Sequence, residues 1–243
     1  MNVFGPPLAI HGSRKSDIIV FAFLACGAFW LAWLAFQQTG DDKTAGRYEA
    51  AICVAIGIPL ATLASWNSQR RVVLYAEGLS YSNLLGERQV RWDSVRRLYY
   101  QATKMSVNFI PVGTVYWIRI IDDRGQKIRF GSGLVKAALL ATKVLELAQG
   151  PLLNRIATEF GAGADIEFGP VRVNRESGIV IKKLWGRTKH IPWNEVHSYR
   201  IERGSIYIWR TGEKRVAGIP ISKVPNAFAL LALLNIIFAP AEA

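Results

Sequence analysis

From Ile18 to Phe36 the chain reads IIVFAFLACGAFWLAWLAF, nineteen residues without a single charge. As an α-helix that run reaches about 28 Å, close to the hydrocarbon thickness of a bilayer. A second apolar run extends from Ala50 to Ser65 between Tyr48 and Trp66, aromatic residues of the kind that sit at membrane interfaces. Pro59 is expected to kink it. The sequence therefore predicts two membrane spans, over about residues 18–36 and 48–66. Buried core helices are the competing reading. A cleaved signal peptide competes for the first run, but its apolar core exceeds about 15 residues and no small-x-small site follows it.

The short polar connection QQTGDDKTAGR makes the two spans a hairpin whose ends lie on one side. Residues 1–69 are electrically neutral, with Arg14, Lys15, Lys43 and Arg47 against Asp17, Asp41, Asp42 and Glu49. The net charge of +12 thus lies wholly in the remainder, a division expected of a membrane part joined to a basic soluble part. Arg14, Lys15, Arg70, Arg71 and Arg88 flank the hairpin on its outside, against Lys43 and Arg47 within it. The positive-inside rule then makes both termini cytoplasmic, in a multi-pass protein of the inner (plasma) membrane. Cys53, Gly57, Ala61 and Ser65 recur at every fourth position and offer a small-residue face, either to the first span or to a second copy. Both cysteines, Cys26 and Cys53, fall inside the spans.

The soluble part repeats itself. EGLSYSNLLGERQ-VRWDSVRRLYY, from Glu77, lies on SGIVIKKLWGRTKHIPWNEVHSYRI, from Ser177, with Gly78 on Gly178, Leu79 on Ile179, Gly86 on Gly186, Trp92 on Trp193 and Val95 on Val196. A repeat of this kind signals duplication. Extended stretches follow at 115–121 and 205–209 before turns at 123–125 and 211–213, then helices at about 134–149 and 225–238. Each unit is thus a run of short strands closed by a helix, in which a curved antiparallel sheet plugged by that helix buries the tryptophans. The last helix is apolar nearly all round but short for a span, which makes it a core helix.

The pattern Glu-Gly-Leu, strand, Gly-turn, strand, Val-Arg-Trp-Asp-Ser-Val resembles the bacterial pleckstrin-homology-like (PH-like) domains of YdbS-like and related uncharacterised membrane proteins, which often follow a pair of transmembrane helices. The resemblance covers residues 70–150 and 165–243 and the hairpin before them. It implies a membrane-anchored α+β chain: a tail and hairpin over 1–69, a seven-stranded, partly open barrel capped by a helix over 70–150, a helical connector over 151–164, and a second such barrel over 165–243. It implies little chemistry, because that fold serves lipid binding, peptide binding and oligomerisation alike.

Three groups of residues are candidates for function. The first hairpin of the second unit carries Lys182, Lys183, Arg187 and Lys189 around Trp185, where its counterpart in the first unit is nearly neutral. Basic residues gain about 1 kcal/mol each near an anionic leaflet, so this hairpin is a candidate lipid-headgroup site; a solvated edge hairpin is the alternative. The stretch at 101–113 holds Met105, Val107, Phe109 and Ile110, suited to a membrane or a partner or, more simply, to covering the barrel. Trp66, Arg70 and Arg71 are placed to anchor the second span at the interface.

No enzymatic constellation accompanies these. His11, His190 and His197 do not join cysteines or carboxylates at metal-ligand spacing, and Gly161-Ala-Gly163 lacks the last glycine of a dinucleotide loop. No G-x-S-x-G is present. A non-enzymatic protein without metal or cofactor is expected. Its partners are anionic membrane lipids, or else itself or another membrane protein for which it is a scaffold. Nucleic acid is not expected, because the basic residues are scattered over strands rather than concentrated on one helix.

Overall fold

The structure, a computed structural model, describes residues 4–37, 43–107, 110–182, 188–212 and 217–238. It is an α+β chain of two long apolar helices and four antiparallel sheets. It divides into one compact unit of Met1–Gln89 with Ser132–Ala137 and another of Val90–Gly131 with Ala138–Ala243.

In the first unit, strand β1 (Ala9–Gly12) precedes helices α1 (Lys15–Gln37) and α2 (Lys43–Ser68), and strands β2 (Arg71–Leu74) and β3 (Gly78–Asn83) follow. With β4 (Gly86–Arg91) they form a sheet ordered β1-β2-β3-β4. The N-terminal segment expected to be a mere tail is therefore a strand of this sheet, because Ala9–Gly12 pairs antiparallel with Arg71–Leu74. The helical hairpin is an insertion between two neighbouring strands rather than a separate segment ahead of the soluble part.

Both helices are long and apolar enough to cross a membrane. At 23 and 26 residues they would reach about 34 and 39 Å. Most of their surface is uncovered. Phe23 is 77% exposed, Phe36 67% and Ile52 60%, which is the opposite of a soluble core helix. The helices pack through small residues. Ala25, Ala32 and Ala35 of α1 and Ala50, Gly57 and Ala64 of α2 are buried. A Cβ on Gly57 would come within 3.2 Å of the Phe29 ring, which would have to give by a few tenths of an ångström to admit it. The expected every-fourth-residue face holds through Cys53, Gly57 and Ala61 but then slips: Ser65 is exposed and Ala64 takes its place. Four residues turn a helix by about 400°, so a strict fourfold stripe drifts off any straight contact line and a 3-4 alternation replaces it.

In the second unit, β5 (Val95–Val107), β6 (Ile110–Asp122) and β7 (Lys127–Gly131) form one sheet in sequence order. Helix α3 (Ala137–Gly161) follows. It runs through Pro151 without interruption, so the connector expected over 151–164 is largely the second half of one helix. Strands β8 (Ile166–Phe168), β9 (Val171–Asn174), β10 (Gly178–Lys182) and β11 (Thr188–Ile191) make a four-stranded meander, and β12 (Val196–Glu202), β13 (Ser205–Arg210) and β14 (Ala217–Pro220) a three-stranded one, before helix α4 (Ala227–Phe238). Four strands, three strands and a helix thus occur twice in the same order. Gly78 and Gly178 open β3 and β10, and Trp92 and Trp193 stand just before β5 and β12. At Gly178, φ is 103° and a Cβ would lie 2.3 Å from the carbonyl of Ile191, so only glycine fits.

Among the described residues no sheet closes into a barrel. The ladder ends at the corners: Trp92–Ser94 turns the chain between β4 and β5, and Pro192, which has no N–H, followed by a 3-10 turn over Trp193–Glu195, does so between β11 and β12. The edge of β5 is satisfied by side chains instead. Asn226 Oδ1 accepts from Leu98 N at 2.8 Å, Asn226 Nδ2 donates to Arg96 O at 2.8 Å, and the backbone N–H of Asn226 donates to Leu98 O at 2.8 Å. Arg155 donates to Val95 O at 2.6 Å and Arg96 O at 3.3 Å. Asn226 adopts φ 51° to do this, a conformation that asparagine tolerates better than most residues. The core of the second repeat joins Phe168, Val173, Ile179, Ile191, Ile206 and Ile208 to Leu230 and Leu234 of α4, with Trp193 and Phe238 packed at its margin.

Candidate functional site

The base of the hairpin in the first unit is held by a set of polar contacts. Gly12 pairs with Arg71, so the chain enters α1 and leaves α2 at adjacent positions. Ser13 Oγ donates to the carbonyl of Asn67, which also accepts from Arg70 N at 3.3 Å, and lies 3.1 Å from the carbonyl of Arg70 just beyond α2. Arg14 N donates to Gly133 O at 3.1 Å and Val135 N to Gly12 O at 2.9 Å. His11, buried, contacts Val135 O through Nδ1 at 2.9 Å. Of the expected interface anchors, Trp66 and Arg70 are half-buried here and Arg71 is exposed.

The basic hairpin is described only at its two ends; Lys183, Trp185 and Arg187 lie outside the described residues. Lys182 pairs with Thr188 and Lys189 with Ile181. Since residues opposite one another share a face and neighbours alternate, Lys182 and Lys189 point to opposite sides of the sheet. Lys182 Nζ lies 3.8 Å from Glu167, which also meets Arg172 at 3.0 Å and Arg97 at 3.7 Å. The hydrogen bond from Arg172, with the neighbouring cations, holds the Glu167 carboxyl below the usual carboxylate range.

The third expected site lies on β5 and β6, which are each 13 residues long, while β7 accompanies β6 only from Trp117 to Ile121. The remainder is a two-stranded ribbon. Every residue from Gln101 to Met105 is exposed, on both of its faces. Phe109 lies outside the described residues, and Val107 and Ile110 pair with each other near its end.

Below the ribbon, the outer face of the same sheet holds residues that the sequence pattern did not single out. Tyr99 pairs with Arg119 and Arg119 with Arg129, and in the next row Gln101 pairs with Trp117. The Arg119 guanidinium lies 3.9 Å over the Tyr99 ring, and Trp117 is 57% exposed. With Ser222 these side chains line a shallow cavity of about 240 Å³. The only advance signal was the alternation YYQ in β5 and WIRI in β6, which a half-buried strand would show for packing reasons alone. A larger cavity, about 420 Å³, lies between β5, α3 and β8. Its charges answer one another: Glu159 meets Arg96 at 3.5 Å and Arg155 at 3.7 Å, and Glu167 meets Arg97. Burial, reinforced by Arg96, lowers the proton affinity of the Arg155 guanidinium.

Among the described residues no three His, Cys, Asp or Glu side chains are grouped to hold a metal. His190 contacts Ser177 O at 2.5 Å, and His197 is exposed on β12.

The fold and these sites define an α+β protein with a pair of exposed, membrane-length helices inserted between two strands. The chain belongs to DUF6585, a family of unknown function, whose family model matches residues 2–242. No curated protein matches the chain.

Proposed function

We propose that the protein is a non-enzymatic integral membrane protein whose α1–α2 hairpin crosses the inner (plasma) membrane with both termini cytoplasmic, and whose duplicated soluble part is a tandem PH-like module that binds or senses the anionic membrane surface. The observation that carries this reading is the exposed apolar hairpin, whose two ends are tied together by the β1–β2 pair and Ser13. Apolar surface on this scale is stable only when lipid or protein covers it. Joined ends put the sheet on one side, and the flanking arginines and lysines select the cytoplasmic one. The PH-like assignment is supported by the recurrence of four strands, three strands and a helix, and the anionic surface by the charge of +12.

Alkaline carbonate extraction of native membranes tests the anchor: the chain stays with the pellet. In sealed vesicles Cys26 and Cys53 resist a membrane-impermeant maleimide until detergent is added. Release by carbonate, or free labelling of both cysteines, ends the reading.

The exposed β5–β6 ribbon favours a second reading, a scaffold that assembles with another membrane protein or with itself through that arm. An isolated two-stranded hairpin is at best marginally stable in water, so a partner would complete it. A photoreactive residue at Met105 separates the two: adducts to phospholipid favour the surface module, adducts to protein the scaffold.

A further inference from the structure

The outer face of β5–β6–β7 sets like charges against each other where the fold does not need them. Arg119 and Arg129 occupy directly paired positions on neighbouring strands, where like charges are destabilising. Among the described residues no carboxylate lies within ion-pair distance of either. Arg119 is instead held over the Tyr99 ring at 3.9 Å, a contact that fixes the plane of its guanidinium and leaves its edge N–H groups to donate. The two arginines share one shallow cavity of about 240 Å³ with Gln101, Trp117 and Ser222, so an anion seated there meets two cations, polar partners and an exposed indole. The second repeat keeps the same pairing on the matching strands with the roles exchanged: Arg200 of β12 pairs with Tyr207 of β13, and its guanidinium lies 5.9 Å from the Trp209 ring. Solvent-facing positions of a sheet require no such match for packing.

We infer that this face, centred on Arg119 and Arg129, binds the phosphate of an anionic phospholipid headgroup. The choice of a lipid rests on the membrane reading above. Charge complementarity selects an anion. Trp117, at the foot of a ribbon whose sequence from Met105 to Val112 is MSVNFIPV, selects an amphipathic ligand, because an indole suits the boundary of headgroup and acyl chain. A single-stranded nucleic acid is the other ligand for an aromatic and basic sheet, but it stacks bases on open rings. Here the Tyr99 ring is covered by Arg119.

The test uses the full chain in neutral maltoside micelles, titrated with short-chain phosphatidylglycerol, short-chain phosphatidylcholine, free glycerol phosphate and a short single-stranded oligonucleotide, read by tryptophan fluorescence and native mass spectrometry. Phosphatidylglycerol binds in preference to the others, and Arg119→Gln with Arg129→Gln weakens it about tenfold or more, as expected for two lost phosphate contacts. Arg129→Glu separates binding from folding: it abolishes the binding while raising the melting temperature, because it converts a repulsive pair into an attractive one. Phosphatidylglycerol affinity unchanged in the double variant overturns the inference, as do glycerol phosphate binding as tightly as the lipid and an oligonucleotide binding more tightly than either. Because these titrations do not require insertion, their failure is distinct from release of the chain by carbonate, which refutes the membrane reading instead.

Discussion

Replacing Asn226 tests how this fold manages without a closed barrel. The residue is 4% exposed and covers the β5 edge with one backbone and two side-chain hydrogen bonds, each at 2.8 Å. Asn226→Ala removes both side-chain bonds. Leu98 N then has no acceptor in a buried position, which costs about 1–3 kcal/mol, whereas Arg96 O keeps the 3.3 Å bond from Arg155 and loses less. Alanine at φ 51° adds about 1–2 kcal/mol of backbone strain. The sum is about 2–5 kcal/mol. Asn226→Gly relieves the strain but not the lost bonds, and is expected to cost about 2 kcal/mol. Thermal and denaturant unfolding of the full chain in one detergent gives a smaller loss for glycine than for alanine. Glycine as stable as the native residue would mean that only the backbone angle matters; alanine costing under about 1 kcal/mol would refute the edge-capping argument.

Three further outcomes follow from the same geometry. Gly178→Ala forces a Cβ to 2.3 Å from Ile191 O at φ 103°, and a loss above about 2 kcal/mol is expected in the same unfolding assay. Glu167 has its pKa lowered in the folded state, chiefly by Arg172, so its contribution is full above the unfolded value of about 4.3 and vanishes as pH falls through the folded one. Glu167→Gln therefore lowers stability by up to about 1 kcal/mol near neutral pH, discounted because the group is 43% exposed, and by progressively less as the pH falls and the carboxyl protonates; an equal loss at neutral and acid pH would refute the linkage. Trp193→Phe removes the indole N–H bonds to Asn174 O and Arg175 O, both at 3.0 Å, and is expected to cost about 0.5–1.5 kcal/mol without changing secondary structure by circular dichroism.

The hairpin helices and the strands around Gly78, Gly178, Trp92 and Trp193 were legible because each rests on local pattern: an uncharged run, a turn glycine, a tryptophan before a strand. Residues 9–12 were not. AIHG is too short to show a period, and its pairing with Arg71–Leu74 is decided across an insertion of more than fifty residues. The unbroken helix through Pro151 was hidden for a related reason. Proline ordinarily signals an end, yet a helix can continue through it where the carbonyl four residues earlier, left without its N–H donor, finds another partner. The Arg119–Arg129 pair is invisible in one dimension, since only the strand register brings residues ten apart into opposition. The basic hairpin is legible from the structure only at its two ends. Five residues close in sequence read as one patch, but the pleat sends Lys182 and Lys189 to opposite faces.

The position of the insertion bears on what such a protein can transmit. A transmembrane pair appended ahead of a soluble domain is joined to it by one covalent link, about which the domain swings. Here the two long apolar helices are spliced between hydrogen-bonded neighbours, so two links emerge side by side at Gly12 and Arg71, and Ser13, Arg14 and the Gly133–Val135 loop lock them. Changing the tilt or separation of α1 and α2 requires breaking part of the β1–β2 ladder or the Ser13 cap, each bond of which is worth about 1 kcal/mol. Ser13→Ala isolates the cap. It removes the hydroxyl donor from the carbonyls of Asn67 and Arg70, leaving Asn67 O only the 3.3 Å bond from Arg70 N, and is expected to speed hydrogen exchange at Asn67–Val72 and at the paired residues of β1, while the second repeat keeps its wild-type protection. Uniform acceleration over the whole chain would show the clamp to be one more stabilising contact, and unchanged exchange at β1–β2 would show that the junction is held by the strands alone.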